Sequence, residues 1–384
     1  MSLLIDEHRE YLHDRARLAV FERAIHEVVR PGAVVADLGC GTGILGLMAC
    51  RAGASRVYAV DDSGMVGQAR QIARDNGFAD RITFIDGHST RVVLPERVDA
   101  IISDVIGRIG FLQGGAESLI DARERWLRPG GSIMPAVVHT WAAPVEHAAL
   151  YGNVDFWRQP VVGFDVSAVR EAAASTGYPH AFAPSDLLAD GVPVLACDYQ
   201  SGPADVARGE VTFTVSRPGT LHGIAAWFTA QLSPAVVATN APGAEGRIAR
   251  RHAFLPLESP VAVEAGDLVL LSLVIRPADF IVAWSVRCLR DGQERAAFRQ
   301  STLRGMLLVR QDFVGAAEDA TPTLNVWAAA RATVLALCDG QRTVRDIERG
   351  VFDQHRSLFS TEAHAQVFVA EVISRYADVP PPRA

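Results

Sequence analysis

The stretch VVADLGCGTGILG, residues 34–46, decides the reading of the chain's amino-terminal third. Its apolar run carries the chain to Leu38, the carboxyl edge of a predicted strand. Gly39, Gly41 and Gly43 then let the backbone turn sharply and leave main chain bare for a ligand to press against. The helix that follows offers free amide groups beside that ligand. Working outward, RVYAVDDS (56–63), RITFIDGH (81–88) and VDAIISDV (98–105) read as further strands. The last of these is almost continuously apolar, as a strand buried on both faces should be. Helical patterns over residues 5–29, 64–77 and 114–127 alternate with them. That order predicts an α/β fold, a doubly wound, Rossmann-like parallel sheet, with a domain over residues 1–135.

The pattern changes after Pro135. VVHTWAAPVE, EVTFTVSR, HGIAAWFTAQL, DLVLLSLVIR and FIVAWSVRCL are short, alternating and rich in β-branched residues. They predict an antiparallel β-barrel domain over residues 136–315, interrupted by a helical, turn-rich segment at about 165–190. Helical periodicity returns over 320–376 as a small carboxyl-terminal helical domain. The 384 residues carry a net charge of −7, which argues against a broad nucleic-acid surface. All the basic residues are arginine. Five cysteines, an odd number with no C-x-x-C pair, speak against a disulfide framework or a structural metal site, and no metal is expected. No run reaches the roughly 18 apolar residues of a membrane span, and the charged amino terminus has no apolar signal core. The expectation is a cytoplasmic protein.

The glycine spacing is G-x-G-x-G, and Asp37 stands two residues before the first glycine. The next predicted strand ends in Asp61, about 20 residues on, where a carboxylate can accept hydrogen bonds from both ribose hydroxyls. Together these features point to S-adenosylmethionine rather than a nicotinamide dinucleotide.

With those residues in view, the first 140 positions resemble a class I methyltransferase and, within that class, the protein arginine methyltransferase family. The helix HREYLHDRAR (8–17) is similar to that family's cofactor-covering helix. The resemblance implies that Arg17 pairs with the methionine carboxylate and that His8 and Leu12 lie over the cofactor. The runs YAVDDS and LPERVDAIISDVIG, which contain Asp62 and Ser103, also follow the family. Where the family places an acid against the adenine amine, this chain has GHST, so the role falls to Ser89 or Thr90. DFWRQPVVGFDVSAV, HGIAAWFTAQL and FLPLESPVAVEAGD extend the resemblance to about residue 310. It implies a dimerisation arm at 165–190 and a homodimer.

The acceptor loop departs from the family. A guanidinium is protonated and a poor nucleophile, and the family grips it with two glutamates in one loop. Gap-free alignment puts Asp104 and Gln113 at those two positions, both taken as catalytic. Asp is shorter by about 1.5 Å, and Gln carries no charge. The family's Thr-His-Trp loop falls on IARR, residues 248–251, with neither His nor Trp. His252 is expected at the surface, and Glu117 facing solvent or capping Arg123. Arg250 and Arg251 are expected to favour an acidic acceptor. The expected activity is methylation, most simply at nitrogen, of a peptide, protein or amino-acid-like acceptor. An O- or C-methyltransferase of natural products and a non-catalytic cofactor-binding scaffold remain as alternatives. Finally, LALCDGQRTVRDIERGVF (335–352) weakly resembles peptide-binding winged-helix domains. Asp339-Gly340 reads as a helix-ending turn, Thr343 as a cap, and Val344, Ile347 and Val351 as facing a small core.

Overall fold

The computed structural model describes residues 4–202, 207–277, 280–306, 323–324, 326–359 and 361–377. Two compact units divide the chain, Met1–Leu307 and Leu308–Ala384. The expected boundary at 315–320 lies outside the described residues.

In the first unit, strands β1 (Val34–Leu38), β2 (Arg56–Asp61), β3 (Ile82–Asp86), β4 (Val98–Ser103) and β5 (Leu127–Met134) form a sheet in the order β3-β2-β1-β4-β5. Every pair is parallel. The order reverses at β1, so the crevice at its carboxyl end is where a ligand of an open α/β sheet binds. RPGG (128–131), which follows the helix Gly115–Trp126, lies inside β5.

Residues 5–29, expected as one helix, form two: α1 (Leu4–His13) and α2 (Arg15–Val28). Asp14 causes the break. Its extended backbone and its side chain, which accepts from the Arg17 amide at 3.0 Å, start a new helix.

The β region resolves into two antiparallel sheets. One contains β6 (Val137–Val145), β8 (Val192–Asp198), β10 (Gly219–Gln231), β12 (His252–Val263) and β7 (Tyr178–His180), with β11 (Val237–Thr239) on β10. The other runs β15-β14-β13-β9, over Gln293–Ser301, Ile281–Arg290, Leu268–Arg276 and Ala207–Thr214. Inward residues of both, among them Ile224, Leu271 and Trp284, share one core. The Trp284 indole donates across to the Pro256 carbonyl at 2.9 Å. Residues 165–190 hold short helices and β7, as the turn-rich pattern predicts.

In the second unit, helices Val326–Leu337, Val344–Gln354 and Glu362–Tyr376 close on a small core that includes Val334, Ile347, Val351 and Phe368. Thr343 and Asp346 cap the middle helix reciprocally. Gly340 takes a positive φ in the turn before it. Val344, expected in the core, is exposed, because the first position of that helix points away from it.

Candidate active site

Asp61 ends β2 at the switch point. Its carboxylate accepts from the Gly41 amide at 2.7 Å through one oxygen and from the Ser63 amide at 2.8 Å through the other. Each oxygen keeps a lone pair for a further donor, which is what a ribose diol requires. Gly41 has φ +50°, and a Cβ built there would sit 2.4 Å from the His8 ring. His8 is therefore pressed against bare main chain of the glycine turn. A cavity of about 420 Å³ between α1 and that turn is lined by Ile5, His8, Leu12, Thr42 and Met65, among others.

Asp37 is wholly buried under the turn. One oxygen accepts from the Gly46 amide at 2.8 Å, and the other has no partner. Burial, against the Gly46 hydrogen bond, pushes its carboxyl up to about 7. Ser103 donates to the Leu38 carbonyl at 2.7 Å and so ties β4 to the start of the turn. The Ser89 carbonyl accepts from Arg125. Thr90 bonds the His88 ring, and both Thr90 and Asp62 are exposed. Gly39 and Gly43 also take positive φ, and Gly43 starts the helix Ile44–Arg51.

Arg17, Asp104 and Arg250 meet in a second, larger cavity of about 1130 Å³. Arg17 donates to Asp104 at 2.6 Å and to the Tyr11 carbonyl at 3.3 Å. Arg250 grips the same carboxylate with both arms of its fork, at 2.9 and 3.3 Å, and reaches the Gly107 carbonyl at 3.2 Å. The three side chains are only 7, 9 and 12 % exposed for Arg17, Asp104 and Arg250. Burial alone would push the Asp104 carboxyl up, but the Arg250 and Arg17 guanidinium groups together hold it below the usual carboxylate range. The Tyr11 ring lies 5.4 Å from the Arg17 guanidinium and 5.6 Å from that of Arg250. Burial, helped by a 2.6 Å hydrogen bond to Glu7, pushes the Tyr11 hydroxyl up to about 12.

The Arg250 backbone is as firmly placed as its side chain. Buried Asn240 donates to the Arg250 carbonyl at 3.3 Å and to the Arg108 carbonyl at 3.0 Å. The Ala249 amide donates to Asp14 at 2.7 Å, so the break between α1 and α2 also anchors this loop.

Three expectations are corrected. Gln113 is exposed and does not line the cavity that holds Asp104, because Gly110 and Gly114 turn the loop with positive φ and carry it outward. His252 is fully buried: its ring accepts from the Phe182 amide at 2.9 Å and donates to the Asn240 carbonyl at 2.5 Å, a structural tie that satisfies both nitrogens. Glu117 does not cap Arg123, which donates instead to the Tyr199 and Gly202 carbonyls, and one Glu117 oxygen is buried without a partner. Sequence reasoning missed Tyr11 and Asn240 altogether. Tyr11 lies within the quoted helix run, but nothing in its spacing marks it as a wall between two guanidinium groups. Among the described residues no grouping of His, Cys, Asp and Glu could hold a metal ion, and no helix is long and apolar enough to cross a membrane.

Fold and crevice together define a methyltransferase architecture. Residues 35–131 match the family model of a methyltransferase domain, and residues 136–286 match that of the arginine methyltransferase oligomerization subdomain. Human protein arginine N-methyltransferase 2 is 30% identical over 309 residues, which cover 74% of this chain and 71% of that protein. The probable protein arginine N-methyltransferase 6 of Arabidopsis thaliana is 35% identical over 239 residues, 59% of this chain but only 54% of that protein. A rice relative, probable protein arginine N-methyltransferase 6.2, is likewise matched over only 60% of its length. Among solved structures, the Trypanosoma brucei PRMT1 enzyme–prozyme heterotetrameric complex with AdoHcy superposes with a TM-score of 0.68 at 22% identity, covering 77% of this chain and 96% of that one. Arabidopsis thaliana protein arginine methyltransferase 10 superposes with a TM-score of 0.67 at 21% identity, covering 77% and 97%. The chain belongs to the protein arginine methyltransferase family.

Proposed function

We propose that this chain is an S-adenosylmethionine-dependent methyltransferase that N-methylates a peptide, protein or amino-acid-like acceptor. One observation carries the reading. The Asp61 carboxylate, pinned between the Gly41 and Ser63 amides, keeps an acceptor lone pair on each oxygen beside a turn whose three glycines all take positive φ. The unpartnered oxygen of Asp37 fits the same donor-rich ligand, since an ammonium would satisfy it. S-adenosylmethionine, when bound, supplies a methyl group on a sulfonium. The chain's own contribution is binding and orientation. Asp61 accepts from the ribose, His8 and Leu12 close the mouth from α1, and Ser103 holds β4 against the turn. Ser89 or Thr90 lies nearest the adenine by family resemblance. Arg17 is the residue that would turn to the methionine carboxylate, and Asp104 the one that would orient the acceptor.

A homodimer is part of the reading. It is supported by the oligomerization-subdomain match and by the exposed apolar side chains Phe156, Val162 and Phe164 at the entry to the 165–190 arm. Five free cysteines, four of them buried, suit a reducing cytoplasm. For the second unit, a peptide-binding role stands on its resemblance alone.

Calorimetry with S-adenosylhomocysteine tests the cofactor reading: the wild type should bind and Asp61→Ala should lose most of that affinity. Mass spectrometry after incubation with peptides tests the transfer. Binding without any methylated product would leave a scaffold, and a base-labile product would mean transfer to oxygen.

A further inference from the structure

The cavity that holds Asp104 has a charge opposite to that of the chain. Seven arginines and four carboxylates line it, in a protein of net charge −7. The carboxylates are also the more fully engaged set. Asp104 is held by two guanidinium groups, Asp14 accepts from two backbone amides, and Glu7 takes the Tyr11 hydroxyl. By contrast, the guanidinium groups of Arg15, Arg108, Arg247 and Arg251 have no ion pair or hydrogen bond among the described residues. Four uncommitted cations therefore face a pocket whose central acid is already neutralised.

Arg250 sharpens the point. A guanidinium seated with its fork on a buried carboxylate is the geometry an arginine acceptor would need at Asp104. Here the chain fills that seat itself, on a backbone fixed by Asn240 and by the contact of Ala249 with Asp14. A second guanidinium arriving at the same carboxylate would have to displace the first and would meet Arg17 and Arg250 as like charges.

Resting on the transferase reading, we infer that this cavity recognises an acidic peptide. Arg15, Arg108, Arg247 and Arg251 hold Asp or Glu side chains flanking the acceptor residue, and Arg250 is the specificity residue that keeps basic peptides off Asp104. The acceptor class is thus a carboxylate-rich peptide segment, recognised by arginine forks at the cavity rim.

Binding can be measured without turnover. Two fluorescein-labelled synthetic peptides of equal length each carry one central arginine, flanked in one by Asp and Glu and in the other by Gly and Arg. Anisotropy titrations use the full chain saturated with S-adenosylhomocysteine. The acidic peptide should bind more tightly, and its affinity should fall as salt is raised. The doubly substituted Arg247→Ala, Arg251→Ala chain should weaken it by about tenfold, two partly exposed pairs being lost. Arg250→Met should improve binding of the basic peptide relative to that of the acidic one. Equal or tighter binding of the basic peptide to the wild type, binding of neither peptide, or an unaltered double variant would each overturn the inference. Arg251→Ala alone, at an exposed position, serves should the double variant misfold. A chain that binds the acidic peptide yet methylates nothing keeps the recognition and loses the transferase reading. One that methylates the basic peptide in preference does the reverse.

Discussion

Asp104→Asn changes one buried charge and almost no volume, so its cost can be worked from the triad. The carboxylate sits between two guanidinium groups at 2.6 and 2.9 Å, with all three side chains almost out of solvent. At the effective dielectric of such sites, each close pair is worth about 4 kcal/mol of attraction. Part of that is offset by rehydration and by the amide oxygen that Asn retains. Removing one partner of a buried pair costs about 3–5 kcal/mol, and here two cations are left facing each other, which favours the upper end. At about 2 °C per kcal/mol for a unit of this size, the midpoint should fall by about 8–10 °C. Arg250→Met removes one cation and leaves Arg17 and Asp104 as a balanced pair, so it should cost only about 1–2 kcal/mol. The double variant then holds one lone cation rather than two. Its loss should be smaller than the sum of the single losses by about 2 kcal/mol, a coupling typical of residues in one network. The assay is thermal unfolding of the full chain at neutral pH, followed by tryptophan fluorescence; Trp126 and Trp284 are buried in the first unit. Additive effects in the double variant, or a loss for Asp104→Asn no larger than for Arg250→Met, would refute the triad as the stabilising unit.

Asp37 should make stability fall with rising pH. Its folded pKa is about 7, so between the unfolded value near 4 and about 7 the native state binds the extra proton, and each pH unit costs up to about 1.4 kcal/mol. Unfolding midpoints of Asp37→Asn across pH 5–8 should lack that component. Gly41→Ala should weaken S-adenosylhomocysteine binding by about tenfold in calorimetry: its positive φ strains an L residue by about 1–2 kcal/mol and its Cβ displaces His8. Thr343→Ala should remove the cap of the helix Val344–Gln354 at a cost of about 1 kcal/mol. Hydrogen exchange should speed up in that helix and stay unchanged in the first unit.

Much of the first unit was legible because its signals are local. Period, glycine placement and the acid closing β2 all lie within a few residues of what they specify, and the parallel sheet followed. The cap at Thr343 was legible for the same reason. Asp14 was local too, yet helical periodicity runs through it unbroken, and only its bond to the Arg17 amide shows the split. The arrangement around Asp104 was not legible because its chemistry joins distant segments. Asp104 meets Arg17 across 87 positions and Arg250 across 146. Composition could suggest that Arg250 favours an acidic acceptor. It could not show that this side chain turns inward onto the loop acid while Arg251 stays out. His252 failed for a related reason: a single polar residue opening β12 looks like surface until Phe182 and Asn240 close over it.

On the proposed reading, Arg17 would join the two halves of the site. Family resemblance assigns its guanidinium to the methionine carboxylate, and in this structure it lies on Asp104. One cation serving two anions couples them. When a cofactor carboxylate draws Arg17 away, Asp104 is left to Arg250 alone, and the pair is neutral where the triad carried an excess positive charge. Cofactor binding then reduces the repulsion that a cationic group meets at Asp104 and tightens the hold of Arg250 on it. An Arg17→Lys chain separates these effects, since an ammonium can keep one contact but lacks the fork geometry to span both. S-adenosylhomocysteine should bind that chain more weakly. Its affinity should also respond less to Arg250→Met than the wild type's does, because the shared cation that transmits the change is gone. Equal sensitivity to Arg250→Met in both backgrounds would show that the cofactor and acceptor ends of the site act independently.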